Sequence, residues 1–243
     1  MPLPPTFEVR LIDNRKLSRT VRELTFERQD GAAFAFDAGQ WVSLVLPRSE
    51  GEIRRSYSIA SRPSESPRFQ LAVTQVEGGP GSTYLHELSP GATLTAIGPQ
   101  GFFSRRLDET GPSLFVATGT GITPLRSMIR AAIEAGHELP MWLLFGVRHE
   151  GDLVYRDEFE EMARTHTNIR FVPTLSRPDE TWGGRRGYVQ THVPELWNEL
   201  TKLGLGLPHA YICGLKRMVS TVRDLLRNEI QIPRGHVHSE RYD

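Results

Sequence analysis

Ser113-Leu114-Phe115-Val116-Ala117-Thr118-Gly119-Thr120-Gly121-Ile122-Thr123-Pro124 is an apolar run that ends in a glycine-rich turn. Five residues of low polarity read as a buried strand, and the fixed φ of Pro124 suits the first position of a helix that ends at Gly136. A strand, a glycine turn and a helix in this order form the repeating unit of a parallel α/β sheet. The free N–H groups of such a turn suit a phosphate-bearing ligand.

The same alternation continues toward the C-terminus. Strands are expected at 141–145, 169–175 and 209–213, and helices at 157–166 and 218–230. Repeated strand–helix units imply a parallel sheet with helices on both faces, whose ligands sit at the carboxyl ends of the strands. Thr118 to Pro124, Gly146 to Arg148, Ser176 with Arg177, and Gly214 all fall at such ends.

Toward the N-terminus the periodicity changes. Short strand patterns at 7–12, 19–28, 41–47, 54–61, 68–76 and 92–98 are separated by Pro63, Pro67, Gly78 to Gly81, Pro90 and Gly91, a spacing that predicts an antiparallel barrel or sandwich. One helix-like turn at 82–88 would cap it with Tyr84, Leu85 and Leu88. The break falls near Gly111-Pro112, giving a barrel domain over 1–110 and an α/β domain over 111–243.

Within the first half, Arg54-Arg55-Ser56-Tyr57-Ser58-Ile59-Ala60-Ser61 places a cation, an aromatic ring and several hydroxyls on one strand, which suits a flat ring system carrying phosphate. A protein that holds two phosphate-bearing ligands is expected to move something between them. Bulk composition narrows the partners. The 243 residues carry 29 basic and 29 acidic side chains, so no global charge points to nucleic acid or to an anionic membrane. A single cysteine builds neither a disulfide framework nor a cysteine-ligated iron–sulfur or zinc site within this sequence, and a reducing compartment is its natural home. No apolar run approaches the roughly 20 residues of a membrane span, and the N-terminus lacks a leader pattern, so a soluble cytoplasmic protein is expected.

These residues in this order resemble the ferredoxin–NADP reductase superfamily, a flavin-binding barrel followed by a nicotinamide-nucleotide domain. The resemblance rests on Arg55, Tyr57 and Ser58 as an RxYS motif, the Gly39-Gln40-Trp41-Val42 lead-in, Gly98-Pro99-Gln100-Gly101-Phe102-Phe103, the glycine turn, Ser176-Arg177 and Cys213-Gly214. The glycine turn departs from the dinucleotide fingerprint by ending in Pro124. The fixed order of the motifs is what makes the combination specific.

The resemblance implies roles for each residue. Arg55 offers a planar fork for phosphate oxygens, Tyr57 packs along the flavin or its ribityl chain, and Ser58 donates to the reducible edge. Gly81, Ser82 and Thr83 open the short helix and either receive the pyrophosphate of FAD or simply cap the helix. Thr118, Gly119, Thr120 and Gly121 admit the nicotinamide nucleotide's pyrophosphate, with Thr123 near the nicotinamide. Ser176 and Arg177, joined by Arg185 or Arg186, favour the 2′-phosphate of NADPH, while Asp179 and Glu180 keep NADH possible.

Cys213 beside Gly214 would shape the hydride path rather than attack anything, and Glu240 would relay a proton while Tyr242 shields a ring. Asp243 stands where many relatives end in an aromatic. His236 and His238 have no third ligand at a metal spacing, so no metal is expected. The activity implied is transfer of hydride from NADPH to FAD and then of single electrons to a ferredoxin, flavodoxin or other iron–sulfur protein, docked on Arg54, Arg105 and Arg106. The alternatives are the reductase component of an oxygenase system and a non-catalytic flavin- and nucleotide-binding electron-transfer subunit.

Overall fold

The computed structural model describes residues 4–48 and 51–242. The first half alternates apolar and polar residues with period two, and it forms β1 (Thr6–Lys16), β2 (Val21–Arg28), β3 (Trp41–Pro47), β4 (Glu52–Ser58), β5 (Arg68–Thr74) and β6 (Thr93–Gln100). All pairs are antiparallel, in the order β4-β3-β6-β1-β2-β5. The two edge strands meet just beyond β4, where Ile59 bridges Leu71 and the Ala60 N–H donates to Gln70 O at 2.7 Å. The sheet is therefore a closed barrel.

Its inward residues include Val9 and Leu11, Leu24 and Phe26, Val42, Leu44 and Leu46, Phe69, Leu71 and Val73, all buried. Helix α1 (Pro80–Glu87) plugs one end with Leu85, flanked by Tyr84 and Leu88 as the periodicity predicts. Strand β1 runs farther than its apolar pattern suggests, because a register shift between Leu11 and Asp13 lets it continue to Lys16 on a polar edge.

The second half forms β7 (Ser113–Thr118), β8 (Met141–Val147), β9 (Ile169–Leu175), the two-residue β10 (Arg185–Arg186), β11 (His209–Leu215) and β12 (Val237–Tyr242). They make a parallel sheet in the order β10-β9-β8-β7-β11-β12. Helices α2 (Ile122–Glu134) and α3 (Arg156–Thr165) cover one face, burying Phe115, Ala117, Phe145 and Cys213. Helices α4 (Val193–Lys202) and α5 (Lys216–Asp224) cover the other, burying Val116, Leu144, Ala210 and Ile212.

Strand neighbours thus alternate between two cores, as a sheet buried on both faces requires. The chain steps outward from β7 to β10 and then returns to β11 on the other side of β7. That reversal opens a crevice at the carboxyl ends of β7 and β11.

Two elements differ from the sequence reading. Helix α4 falls where no helix is expected from the sequence, although Pro194 near its start and the buried Leu196, Trp197 and Leu200 carry a helical spacing. Helix α2 starts at Ile122 rather than Pro124. Proline is tolerated there because the first turn of a helix has no intrahelical acceptor for its N–H groups. The two halves also share apolar contacts, with Val21, Ala38, Ala72 and Phe103 of the barrel side packed in one cluster with Leu125 and Met128 of α2.

Candidate active site

Strand β4 presents different chemistry on its two faces. Ser56 pairs its hydroxyl with Ser43 at 2.9 Å, and Ser58, on the same face, points toward the second half of the chain. Ser58 is buried and donates to Glu240 Oε2 at 3.1 Å, while the Tyr242 hydroxyl donates to Ser58 Oγ at 2.6 Å. Thr123 donates to Thr120 O at 2.7 Å and lies 3.3 Å from the same Tyr242 hydroxyl. On the sheet, Cys213 pairs in register with Glu240. Ser58, Thr123, Cys213, Glu240 and Tyr242 therefore converge from β4, α2, β11 and β12.

Burial governs the protonation of this cluster. It pushes the Glu240 carboxyl up to about 7, with the Ser58 hydroxyl working the other way. It also pushes the Cys213 thiol well up, helped by the neighbouring Glu240, so the sulfur stays protonated and is a poor nucleophile. The Tyr242 hydroxyl is likewise raised by burial, then by Cys213 and Glu240, and remains a donor. Asp243 lies outside the described residues.

On the opposite face of β4, Tyr57 packs against the barrel core, and burial pushes its hydroxyl up to about 12 against the pull of Arg55. Arg55 is exposed and runs beside the start of α1, where a Cβ on Gly81 would come within 3.1 Å of its Cγ. The first helical bond of α1 is Thr83 N–H to Gly79 O at 3.1 Å, which leaves the N–H groups of Gly81 and Ser82 ahead of it without a helical acceptor. The Ser82 hydroxyl is not available: it accepts from Val76 N–H at 3.0 Å and donates to Gly79 O at 3.0 Å. A guanidinium, two backbone donors and a missing Cβ fit a pyrophosphate, with backbone rather than hydroxyl as donor at Ser82.

The β7–α2 turn is shaped by close approach. Gly214 has φ +145°, and a Cβ there would meet Thr118 Oγ1 at 2.3 Å; a Cβ on Gly121 would meet Cys213 O at 2.3 Å. The Thr118 Oγ1, packed against Gly214, is buried without a hydrogen-bond partner among the described residues. Thr120 accepts from Thr74 of β5 at 3.2 Å, which ties the turn to the barrel. Gly119, at φ +54°, keeps the turn open.

Cations at the ends of β8 and β9 differ from expectation. Ser176 leans on Val147 O at 3.4 Å, and Arg177 is exposed. Arg185 does not join it. Both its terminal nitrogens bind the Glu195 carboxylate, at 2.5 and 2.9 Å, while Arg186 donates to the carbonyls of Asp179 and Trp182. The residue beside Arg177 is Arg148, whose carbonyl accepts the Arg177 N–H at 2.9 Å and whose side chain is exposed. The sequence signal for Arg148 is its place directly after a strand end.

Arg105 is not a surface cation. It is 5% exposed, donates to Ser113 Oγ at 3.1 Å and meets His137 Nε2 at 2.5 Å, while Arg106 pairs with Asp108. Arg54 is exposed as expected. His86 is engaged with Val73 O at 2.9 Å. Among the described residues, no helix is long and apolar enough to cross a membrane.

Comparison with known proteins places these features in one family. Residues 8–104 match the oxidoreductase FAD-binding domain and residues 115–224 the oxidoreductase NAD-binding domain. The chain is 61% identical over 238 residues to ferredoxin–NADP reductase B of Sorangium cellulosum (strain So ce56), covering 98% of each protein. It is 31% identical over 240 residues to the phenol hydroxylase P5 protein of Acinetobacter pittii (strain PHEA-2), covering 97% of this chain and 65% of that one. Its fold matches the crystal structure of a ferredoxin NADP+ reductase from Neisseria gonorrhoeae with bound FAD and NADP, at a TM-score of 0.79 and 21% identity, covering 97% of this chain and 98% of that one.

Proposed function

The chain belongs to the ferredoxin–NADP reductase superfamily, and from that premise we propose that Ser58 and the C-terminal strand form the boundary across which it exchanges electrons between a nicotinamide nucleotide and a flavin. It is an FAD-dependent oxidoreductase that uses NADPH and serves a ferredoxin-type acceptor. The observation that carries the residue assignment is the contact itself. Ser58 of the barrel meets Glu240 and Tyr242 of the nucleotide half within hydrogen-bond distance, so the two ligand sites share a wall.

FAD, when bound, accepts an electron pair as hydride and releases the electrons singly, which no side chain here can do. The protein's part is to hold and orient. Arg55 and the N–H groups of Gly81 and Ser82 hold the pyrophosphate, and Tyr57 lines the ring site. Thr118, Gly119, Thr120, Gly121 and Gly214 admit the nicotinamide nucleotide's phosphates, and Thr123 borders the nicotinamide. Arg177 and Arg148 take the 2′-phosphate beside Ser176. Glu240 holds a proton near neutral pH on a carboxyl hydrogen-bonded to Ser58, and Cys213 fills the wall behind it.

The acceptor is a small iron–sulfur protein or flavodoxin, met in part by the exposed Arg54. The likeness to the phenol hydroxylase P5 protein favours a second reading, in which the acceptor belongs to an oxygenase system; this changes the partner and not the chemistry. The test is an anaerobic visible spectrum of the purified protein before and after addition of NADPH and, separately, NADH. A yellow protein bleached rapidly by NADPH is the expected result. A protein that stays colourless after addition of FAD, or yellow and unmoved by either nucleotide, moves a binding role to first place.

A further inference from the structure

Helix α2 is fastened to the barrel by one buried guanidinium. Arg126 lies three residues beyond Thr123 and is 3% exposed. Its Nε donates to both oxygens of Glu158 on α3, at 3.0 and 2.9 Å. Its Nη1 donates across the interface to Ala60 O at 2.7 Å and to Gln70 Oε1 at 3.1 Å. The guanidinium also stacks over the ring of Tyr155, 4.4 Å from its centroid.

Ala60 lies two residues beyond Ser58, in the segment where the barrel closes through Ile59 and Leu71. One side chain therefore links the strand end that carries Ser58 to the helix that carries Thr123. The network extends further into the barrel. Gln70 Nε2 donates to Glu23 Oε1 at 3.3 Å, and the buried Glu23 pairs with Arg15 at 2.8 Å. On the other side, Tyr155 holds φ +60°, a left-handed conformation that a bulky L residue adopts only at a cost.

Stability alone is a poor account of such an arrangement. A buried ion pair is often no more stabilising than well-packed apolar side chains of the same volume, and apolar contacts between the halves are already present through Ala72, Phe103 and Met128. Apolar burial is non-directional. A planar fork bonded on both sides fixes direction and spacing.

We propose that Arg126 is a positioning residue for electron transfer between the two ligands: by bonding Ala60 O and Glu158 at once, it sets the gap between the Ser58 segment and the Thr120–Thr123 turn. The proposal rests on the function given above. It predicts that loss of the fork leaves both ligand sites intact while their separation drifts.

The test uses the FAD-loaded protein and NADPH in anaerobic stopped-flow, which separates the limiting rate of flavin bleaching from the NADPH dissociation constant. Because a displacement of about 1 Å costs roughly 100-fold in rate, Arg126→Met is expected to lower the limiting rate by about 10- to 100-fold. The NADPH dissociation constant should stay within about threefold, and the long-wavelength charge-transfer absorbance between the reduced flavin and NADP+ should weaken, since that band reports ring overlap.

Arg126→Lys keeps the charge but cannot bridge both partners, and it is expected to fall between, about fivefold to tenfold slow. A purely structural residue would lower the melting temperature and leave the limiting rate and the charge-transfer band alone. Limiting rates within about twofold of wild type in both variants overturn the proposal, as does loss of FAD from both, which would make Arg126 a folding residue. If NADPH fails to bleach the wild-type protein, the functional reading itself falls, an outcome distinct from either of these.

Discussion

The Tyr242 hydroxyl donates to Ser58 Oγ at 2.6 Å, joining residues 184 positions apart in the chain. Ser58 passes the bond on to Glu240 at 3.1 Å, so its own proton is directed and its lone pair occupied. Its one proton is committed to Glu240 rather than to the reducible edge of a ring, so Ser58 acts as the hub that holds Tyr242 and Glu240 in place. Ser58→Ala is expected to slow flavin bleaching by NADPH about 10- to 100-fold, because it unties Tyr242 and Glu240 together and lets the site drift from its reactive geometry. Tyr242→Phe keeps the ring and removes one neutral hydrogen bond, so about twofold to tenfold is expected. Anaerobic stopped-flow ranks the two variants, and an equal or reversed order would remove Ser58 from its assigned role.

Glu240 links the site to pH. Burial raises its carboxyl to about 7 from an ordinary value of 4.5. Between those values the folded protein keeps a proton that the unfolded chain has lost, so this group's stabilising contribution is full below about 4.5 and is lost as pH rises through about 7. Turnover that uses the proton should decline above about pH 7, and Glu240→Gln should abolish that inflection while lowering the rate. A wild-type profile flat from about pH 6 to 8 would remove Glu240 from proton transfer.

The proposed 2′-phosphate contacts are two cations that sit together, while a third cation is held elsewhere. Arg177 and Arg148 adjoin at the ends of β9 and β8, while Arg185 is bound by Glu195. Arg177→Ala should cut kcat/KM for NADPH by about 10- to 100-fold and leave NADH nearly unchanged, as loss of a charge-assisted phosphate contact requires. Arg148→Ala should act in the same direction. Arg185→Ala should stay within about twofold for both nucleotides, because the glutamate already neutralises it. Steady-state kinetics with both nucleotides decide the matter, and a large selective effect at Arg185 would mean that its pairing with Glu195 breaks when nucleotide binds.

Strand periodicity made the barrel and the parallel sheet legible, since Val9, Leu11, Leu24 and Phe26 alternate and 113–117 does not. Ser58, Thr123, Cys213, Glu240 and Tyr242 were all named from motifs, and the fold brings them together. What stayed hidden depends on contacts distant in sequence. Nothing near Arg185 announces Glu195 as its partner, nothing near Arg105 announces Ser113 and His137, and Arg126 looks like one more charged residue on a helix. Ser82 was half legible: the helix start was clear, but the local turn that absorbs its hydroxyl was not.

At the amino end of the sheet, His209 offers a test with the opposite sign to Glu240. Its Nε2–H donates to Glu109 at 2.9 Å, its Nδ1 meets His238 Nε2 at 3.2 Å, and its ring lies 4.1 Å from that of His236. Burial lowers its pKa to about 4; Glu109 opposes this, and His236, His238 and Arg105 add to it. Burial lowers His238 as well. The folded protein therefore stays neutral here while the unfolded chain takes up a proton below about 6.5, so this stability is full above about 6.5 and is lost as pH falls toward about 4. His238, lowered in the same direction, adds to the loss over that window. Glu240 acts in the opposite sense over part of the same range, so the wild-type curve mixes the two. His209→Gln isolates the first: an amide can still donate to Glu109 but cannot titrate. Urea unfolding of the FAD-loaded protein at several pH values should give the variant a shallower loss of stability on acidification than wild type. Parallel curves would mean that His209 takes up its proton in the folded state as readily as in the unfolded chain.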